Sequence, residues 1–278
     1  MNADAFFKTG TSLNHSTKNH PLLKKTSGSQ ASHRLGLGIM PSGLLNIKHS
    51  HPRLQSVSAF SPSWMLQFSL FGFPVTIHWM FWVITAMLFG GLEARSPEQF
   101  RLMIISMVAA FLSVLIHELG HAFLMRRYGA KASILLHSMG GLAFADRSFS
   151  RGKSIIVSLA GPLVEIIFGL IVWELLRRGI GGSVSVKFFL LQFAFISIYW
   201  GLMNLIPIYP LDGGHILVHV LGPRLIKVSI VISIVCAVAI GIYFFIAGNF
   251  FGGLVLGYIA FENVKRLRGQ RPGSFMQP

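Results

Sequence analysis

From Leu225 to Phe261 the chain runs through an almost unbroken series of apolar side chains. As a single helix this stretch would be about 55 Å long, against a bilayer hydrocarbon core of about 30 Å. Two shorter helices that turn near Ala247-Gly248-Asn249 resolve the mismatch. Four further apolar runs come before it, at 79–92, 102–125, 155–176 and 188–206, giving about six spans. Only 12% of the residues are charged, roughly half the share of about 25% usual in soluble domains. Residues 66–77 alternate around Gly72 and Pro74, a pattern of extended backbone at the membrane surface. The fold class expected is therefore an all-α membrane protein, a polytopic bundle of about six transmembrane helices with short membrane-associated β segments.

The charges orient this bundle. With six spans, one side collects the basic 1–60 segment, a loop bearing Arg126, Arg127, Lys131, Arg147, Arg151 and Lys153, and the basic C-terminal end. The other side keeps Arg95, Arg101, Arg177, Arg178 and Lys187, the Arg177-Arg178 pair being the dissenting feature. The positive-inside rule then places the termini toward the cytosol or its organellar equivalent, in the cell membrane if the source is prokaryotic. A net charge of +15 distributed in this way suits anionic lipid headgroups rather than nucleic acid. The single cysteine, Cys236, lies in an apolar run and excludes a disulfide framework or a thiolate cluster. Residues 1–60 are basic, hydroxylated and poor in acids. They read as a disordered tail, with an organelle-targeting presequence or a mis-assigned start as alternatives. The expected partition is this tail, a membrane domain over 61–264, and a basic tail over 265–278.

Near the end of the second apolar run stands the sequence HELGH, residues 117–121. Histidines at i and i+4 share a helix face, so His117 and His121 can share a metal ion. Glu118, one position after the first, is placed to act as a general base toward water. H-E-x-x-H is a zinc-site pattern, and a glutamate inside a membrane helix is expensive enough to imply use. A catalytic zinc takes three protein ligands. Of the nine acidic residues, most lie in tails, in loops or at the wrong membrane end, leaving Glu165 and Asp212. Asp212 follows two helix-breaking prolines in NLIPIYPLDGG, residues 204–214, on the same side as HELGH. It is the better third ligand, with Gly213-Gly214 expected to let the backbone turn sharply. His215 and His219 repeat the i, i+4 spacing without a carboxylate between them, and are not favoured as ligands.

HELGH in a membrane helix, followed by Asn-x-x-Pro-x-x-Pro-Leu-Asp-Gly-Gly, resembles the site-2 protease family of intramembrane zinc metalloproteases. FGFPVTIHW (71–79), GGLAF (140–144) and SLAGPLVE (158–165) are similar to further family features, so the resemblance runs from about residue 65 to 262. It implies one Zn2+ per chain, Asp212 as a zinc ligand, and Asn204 supporting an oxyanion or substrate carbonyl. It implies as partner a transmembrane substrate protein, cut as in regulated intramembrane proteolysis. Homo-oligomerisation is left open. Neither a PDZ insertion nor a CBS pair is recognisable, as in the compact six-helix branch of the family.

One position departs from the pattern. After Ala-Gly-Pro the family commonly has Asn where this chain has Glu165, which leaves two readings: an additional proton carrier, or a neutral acid hydrogen-bonded between helices. A substrate helix hides its amides and must unwind to be cut. Gly140, Gly141 and Leu142, in a strand-like stretch, are expected to hold the unwound peptide by edge addition. The competing function is a non-proteolytic zinc-binding membrane protein, either a transporter or an inactive scaffold. A transporter would string polar groups along a path through several helices, and an inactive scaffold would be expected to lack Glu118 or a ligand.

Overall fold

The structure, a computed structural model, describes residues 65–91, 94–138 and 140–269. The 1–60 tail, Glu93 and the last residues of the C-terminal tail lie outside the described residues.

The described chain begins with a hairpin, β1 (Met65–Leu70) and β2 (Phe73–His78), paired antiparallel. Its two-residue turn puts Phe71 at φ +50° and Gly72 at φ +81°, a left-handed geometry suited to tight hairpins. A short helix α1 (Trp79–Leu88) follows, then the long α2 (Pro97–Arg127). Ser96 starts α2 with a capping box, accepting from the Gln99 amide while the Gln99 side chain accepts from the Ser96 amide. After α2 the chain returns to the sheet. β3 (Ala132–His137) pairs parallel with β2, and β4 (Gly140–Ala145) pairs antiparallel with β3, giving the order β1-β2-β3-β4.

One face of this sheet is apolar. Phe73, Val75, Ile77, Ile134 and Leu136 pack against Phe81 of α1 and Val114, Leu115, Leu119 and Ala122 of α2. Arg126, at the end of α2, pins the hairpin from above. Its guanidinium lies 4.1 Å from the Phe73 ring centre and donates to the Phe71 carbonyl at 2.7 Å. The sheet is thereby fastened along the stretch of α2 that carries HELGH.

The remaining elements are α3 (Arg151–Arg177), α4 (Val184–Asn204), α5 (Asp212–Leu221), a single 3-10 turn, α6 (Ile226–Ile246) and α7 (Phe250–Leu267). Among the described residues, four helical stretches are long and apolar enough to cross a membrane: Pro97–Arg127, Arg151–Arg177, Val184–Asn204 and Pro223–Ile246. Their outer faces carry Leu170, Phe195, Val235 and Ile246 in the open, while Ser113, Ser197, Ser229, Ser233 and Glu165 are buried. That inversion is the one a bilayer rewards. The fold class is as expected, with the count of six as an approximation. The break in the last apolar run falls where expected, at Gly248 (φ +80°), with the Asn249 side chain capping α7. The first expected span shortens to the ten residues of α1, about 15 Å of helix. The sixth becomes α7, which brings Glu262, Asn263, Lys265 and Arg266 into its last turns and runs past the domain boundary expected at 264.

A second difference concerns the segment after α4. Gly213 and Gly214 do not form a sharp turn; they lie in the first turn of α5. Their lack of side chains serves close approach instead. A Cβ at Gly213 would collide with the Leu205 and Ile206 carbonyls, and one at Gly214 with the backbone of Ile208 and Tyr209. The two prolines end α4, the loop folds back on the start of α5, and Asp212 stands at the first helical position.

Candidate metal centre

α2 brings His117 and His121 to one face, and α5 delivers Asp212 to meet them. His117 Nε2 lies 3.1 Å from Asp212 Oδ2 and 3.1 Å from His121 Nε2, and His121 Nε2 lies 3.4 Å from Asp212 Oδ1. All three side chains are buried or nearly so. Four ligands at zinc–ligand distances of about 2.0–2.2 Å stand roughly 3.3 Å apart in a tetrahedron, which matches this spacing.

The outward nitrogens of the two rings settle which atoms face inward. His121 Nδ1 lies 2.7 Å from the carbonyl oxygen of Val157; a carbonyl only accepts, so Nδ1 carries the hydrogen and Nε2 presents its lone pair. His117 Nδ1 lies 2.8 Å from Glu165 Oε2. Two imidazole lone pairs and a carboxylate thus converge, a donor set that a divalent cation completes and zinc suits.

α3 can lie this close because α2 and α3 cross at glycines. A Cβ on Gly120 would press on the Ala160 carbonyl at 2.7 Å, and one on Gly161 would run into the His121 ring. The glycine of HELGH therefore serves the helix crossing. Asp212 is held from the other side. The loop before it is fixed by Ser233 of α6, which accepts from the Tyr209 amide at 3.1 Å, and by Asn263 of α7, which donates to the Tyr209 carbonyl at 2.6 Å. Ile208, fully buried, packs with Ala237, Leu256, Ile259 and Ala260.

Glu118 is buried beneath the sheet. β4 crosses it at Gly141, where any Cβ would overlap the Glu118 carboxylate. Gly140 (φ +119°) passes the Trp200 ring, and Leu142 pairs with Leu135. All three residues expected to hold substrate thus lie on a strand at the sheet edge, and Gly141 is the one against Glu118. Asn204, at the end of α4, is largely buried and donates from Nδ2 to the Trp200 carbonyl at 3.0 Å. His215 lies against the Tyr209 ring, tilted to it, instead of joining the cage, and the His219 carbonyl accepts from Arg151. Arg177 and Arg178, the dissenting pair, are ion-paired to Glu174.

Sequence reasoning left open the surroundings of the histidines. It did not single out Ser113, Ser197 or the Val157 carbonyl, and it found no fixed use for Glu165. A signal was available: Ser113, His117 and His121 follow each other at i, i+4, i+8, a polar stripe down an apolar helix. The carbonyl had none, since every residue has one.

Residues 179–248 match the model of peptidase family M50. A zinc metalloprotease of Methanocaldococcus jannaschii is 32% identical over 161 residues, 56% of this chain and 45% of that protein. A putative zinc metalloprotease of Synechocystis is 31% identical over 162 residues, covering 54% of this chain and 42% of its own length. The putative zinc metalloprotease Rip3 of Mycobacterium tuberculosis is 28% identical over 214 residues, 68% of this chain and 53% of that protein. The chain spans about half the length of the curated relatives it matches. Among solved structures, a site-2 protease from Methanocaldococcus jannaschii superposes with a TM-score of 0.55 at 24% identity, covering 77% of this chain and all of that one. That last likeness speaks to fold.

Proposed function

We propose that this chain is a member of the site-2 protease family, an intramembrane zinc metalloprotease that hydrolyses a peptide bond within or near a transmembrane segment of another protein; its likeness to peptidase family M50 and to zinc metalloproteases supports that reading. It is an integral, multi-pass membrane protein. The observation that carries the reading is local: an edge strand crosses Glu118 at a glycine, beside a cage of His117, His121 and Asp212. Peptide-holding backbone, a base and a metal cage are then within reach of one scissile bond.

His117, His121 and Asp212 would hold the zinc ion, one per chain. Bound there, zinc supplies Lewis acidity that makes water a nucleophile near neutral pH and polarises a carbonyl. Glu118 accepts a proton from the attacking water and afterwards delivers it to the leaving nitrogen. Its burial under β4 keeps bulk water from competing for that proton. Asn204 has a second N–H on Nδ2 beyond the one given to Trp200, and this donor supports the carbonyl oxygen as charge gathers on it. The substrate segment, partly unwound, adds to the outer edge of β4 and satisfies there the backbone groups that lipid cannot. Gly140, Gly141 and Leu142 line that edge. The active site opens toward the cytosolic side, where the basic loop residues gather.

The test is to incubate the purified protein in detergent with a panel of labelled single-span peptides and to locate cuts by mass spectrometry. Cleavage within or beside the apolar segment, lost on chelation and restored by zinc, is expected. Cleavage that persists at full rate without metal, or cuts confined to soluble flanking regions, would overturn the proposal.

A further inference from the structure

Glu165 stands in the middle of α3 with no exposed surface. A carboxylate at membrane depth is kept only where it is used, and both its oxygens are engaged by α2. Oε1 accepts from Ser113 Oγ at 2.6 Å, and Oε2 faces His117 Nδ1 at 2.8 Å. Ser113 Oγ is also 2.9 Å from Ser197 Oγ on α4. A line of hydrogen bonds thus runs from α4 through α2 to α3 and back to α2, ending on a ring whose other nitrogen faces Asp212 and His121.

We propose that Glu165 is a positioning residue for the metal ligand His117. It accepts a hydrogen bond from Nδ1–H, which fixes the tautomer with the Nε2 lone pair inward, and it sets the plane of the ring. Ser113 and Ser197 hold the carboxylate in place. The same helix treats the two histidines in parallel, His121 through the Val157 carbonyl and His117 through a side chain. Only the second of these supports can be removed by substitution. The residue at which this chain departs from the pattern it resembles is therefore the one that touches a ligand. The inference rests on the metal-cage reading of His117, His121 and Asp212, and deepens it.

The measurement is zinc affinity of the full chain in detergent, read by competition with a chromophoric chelator. The visible absorption of the cobalt-substituted protein is recorded alongside, and gel filtration and thermal unfolding check the fold. Glu165→Gln keeps the length and a carbonyl that can still accept from Nδ1; Glu165→Met fills similar volume but accepts nothing. Outer partners of metal-bound histidines are typically worth 10–100-fold in metal affinity. Zinc binding should fall about 10-fold in Glu165→Gln and about 100-fold in Glu165→Met, with an altered cobalt spectrum in the second. A packing role alone would give Glu165→Met the affinity and spectrum of the wild type, and that result overturns the proposal. Should Glu165→Met fail to fold, Glu165→Gln and Ser113→Ala decide. Weakened zinc binding in either, with an intact fold, supports the positioning role, and wild-type affinity in both overturns it. Failure of the wild type itself to bind zinc would strike the cage, and failure to cleave with this affinity order intact would strike the protease reading alone.

Discussion

Gly141 is a residue at which the site tolerates no side chain. Its missing side chain is the space that the Glu118 carboxylate occupies. Gly141→Ala should push the base and the edge strand apart while the cage is untouched. Displacements near 1 Å cost catalysis about 10²-fold, so cleavage of a transmembrane peptide should drop by that order with zinc content at the wild-type level. Loss of zinc together with activity would show that the strand supports the cage as well. Gly161 makes the opposite prediction, because a Cβ there meets the His121 ring. Gly161→Ala should weaken zinc binding about 10-fold or more, a magnitude taken from disturbed outer partners of metal-bound histidines, and chelator competition measures it. At this scale the sequence was informative wherever chemistry depends on spacing within one helix. The convergence of His117 and His121 could be read from HELGH, and that of Asp212 from the scarcity of carboxylates together with its place after the two prolines. The partners of Glu165 and the part played by Gly161 could not, because they exist only where α2 and α3 cross.

At the scale of elements, the edge strand and the loop before α5 divide the labour. β4 is an edge strand, which on the proposed reading would pair with substrate, and the loop held by Ser233 and Asn263 supplies Asp212. Leu142→Pro removes one backbone N–H and fixes φ in the middle of that strand. It should abolish cleavage while leaving zinc bound, as measured by metal analysis of the same preparation that fails in the assay. Retained cleavage would remove edge addition from the account. The extended backbone at 66–77 and the break at Gly248 were legible because alternation and glycine placement are local signals; that the former folds into a hairpin was not read. α5 was not, since Gly213-Gly214 after two prolines reads as a turn. What makes it a helix start is the carbonyl packing of Leu205 and Ile206 against it, which is a tertiary effect. The ten-residue length of α1 escaped for a related reason: the apolar run continues past Leu88, and the backbone stops being helical before the hydropathy does.

Among the described residues, large apolar side chains cover the outer faces of the helices and several polar ones are buried between them, so close helix contact adds to the two apolar clusters in holding the bundle together. The α2–α3 crossing at Gly120 is a close backbone contact near the site. Gly120→Val would drive a branched side chain into the Ala160 carbonyl, and such overpacking costs about 1–3 kcal/mol. The expected result is a lower unfolding temperature in detergent together with reduced zinc occupancy, since both histidines donate their outer hydrogen bonds to α3. An unchanged melting curve would mean that the helices separate without cost. The central claim is that HELGH holds a metal and its base for peptide hydrolysis inside the membrane bundle. It is tested most directly by cleavage of one transmembrane peptide by the wild type beside Glu118→Gln, with zinc counted in both preparations. The account predicts about one zinc per chain in each and cleavage by the wild type alone. Equal cleavage by the two, or no zinc in well-folded wild-type protein, would contradict it.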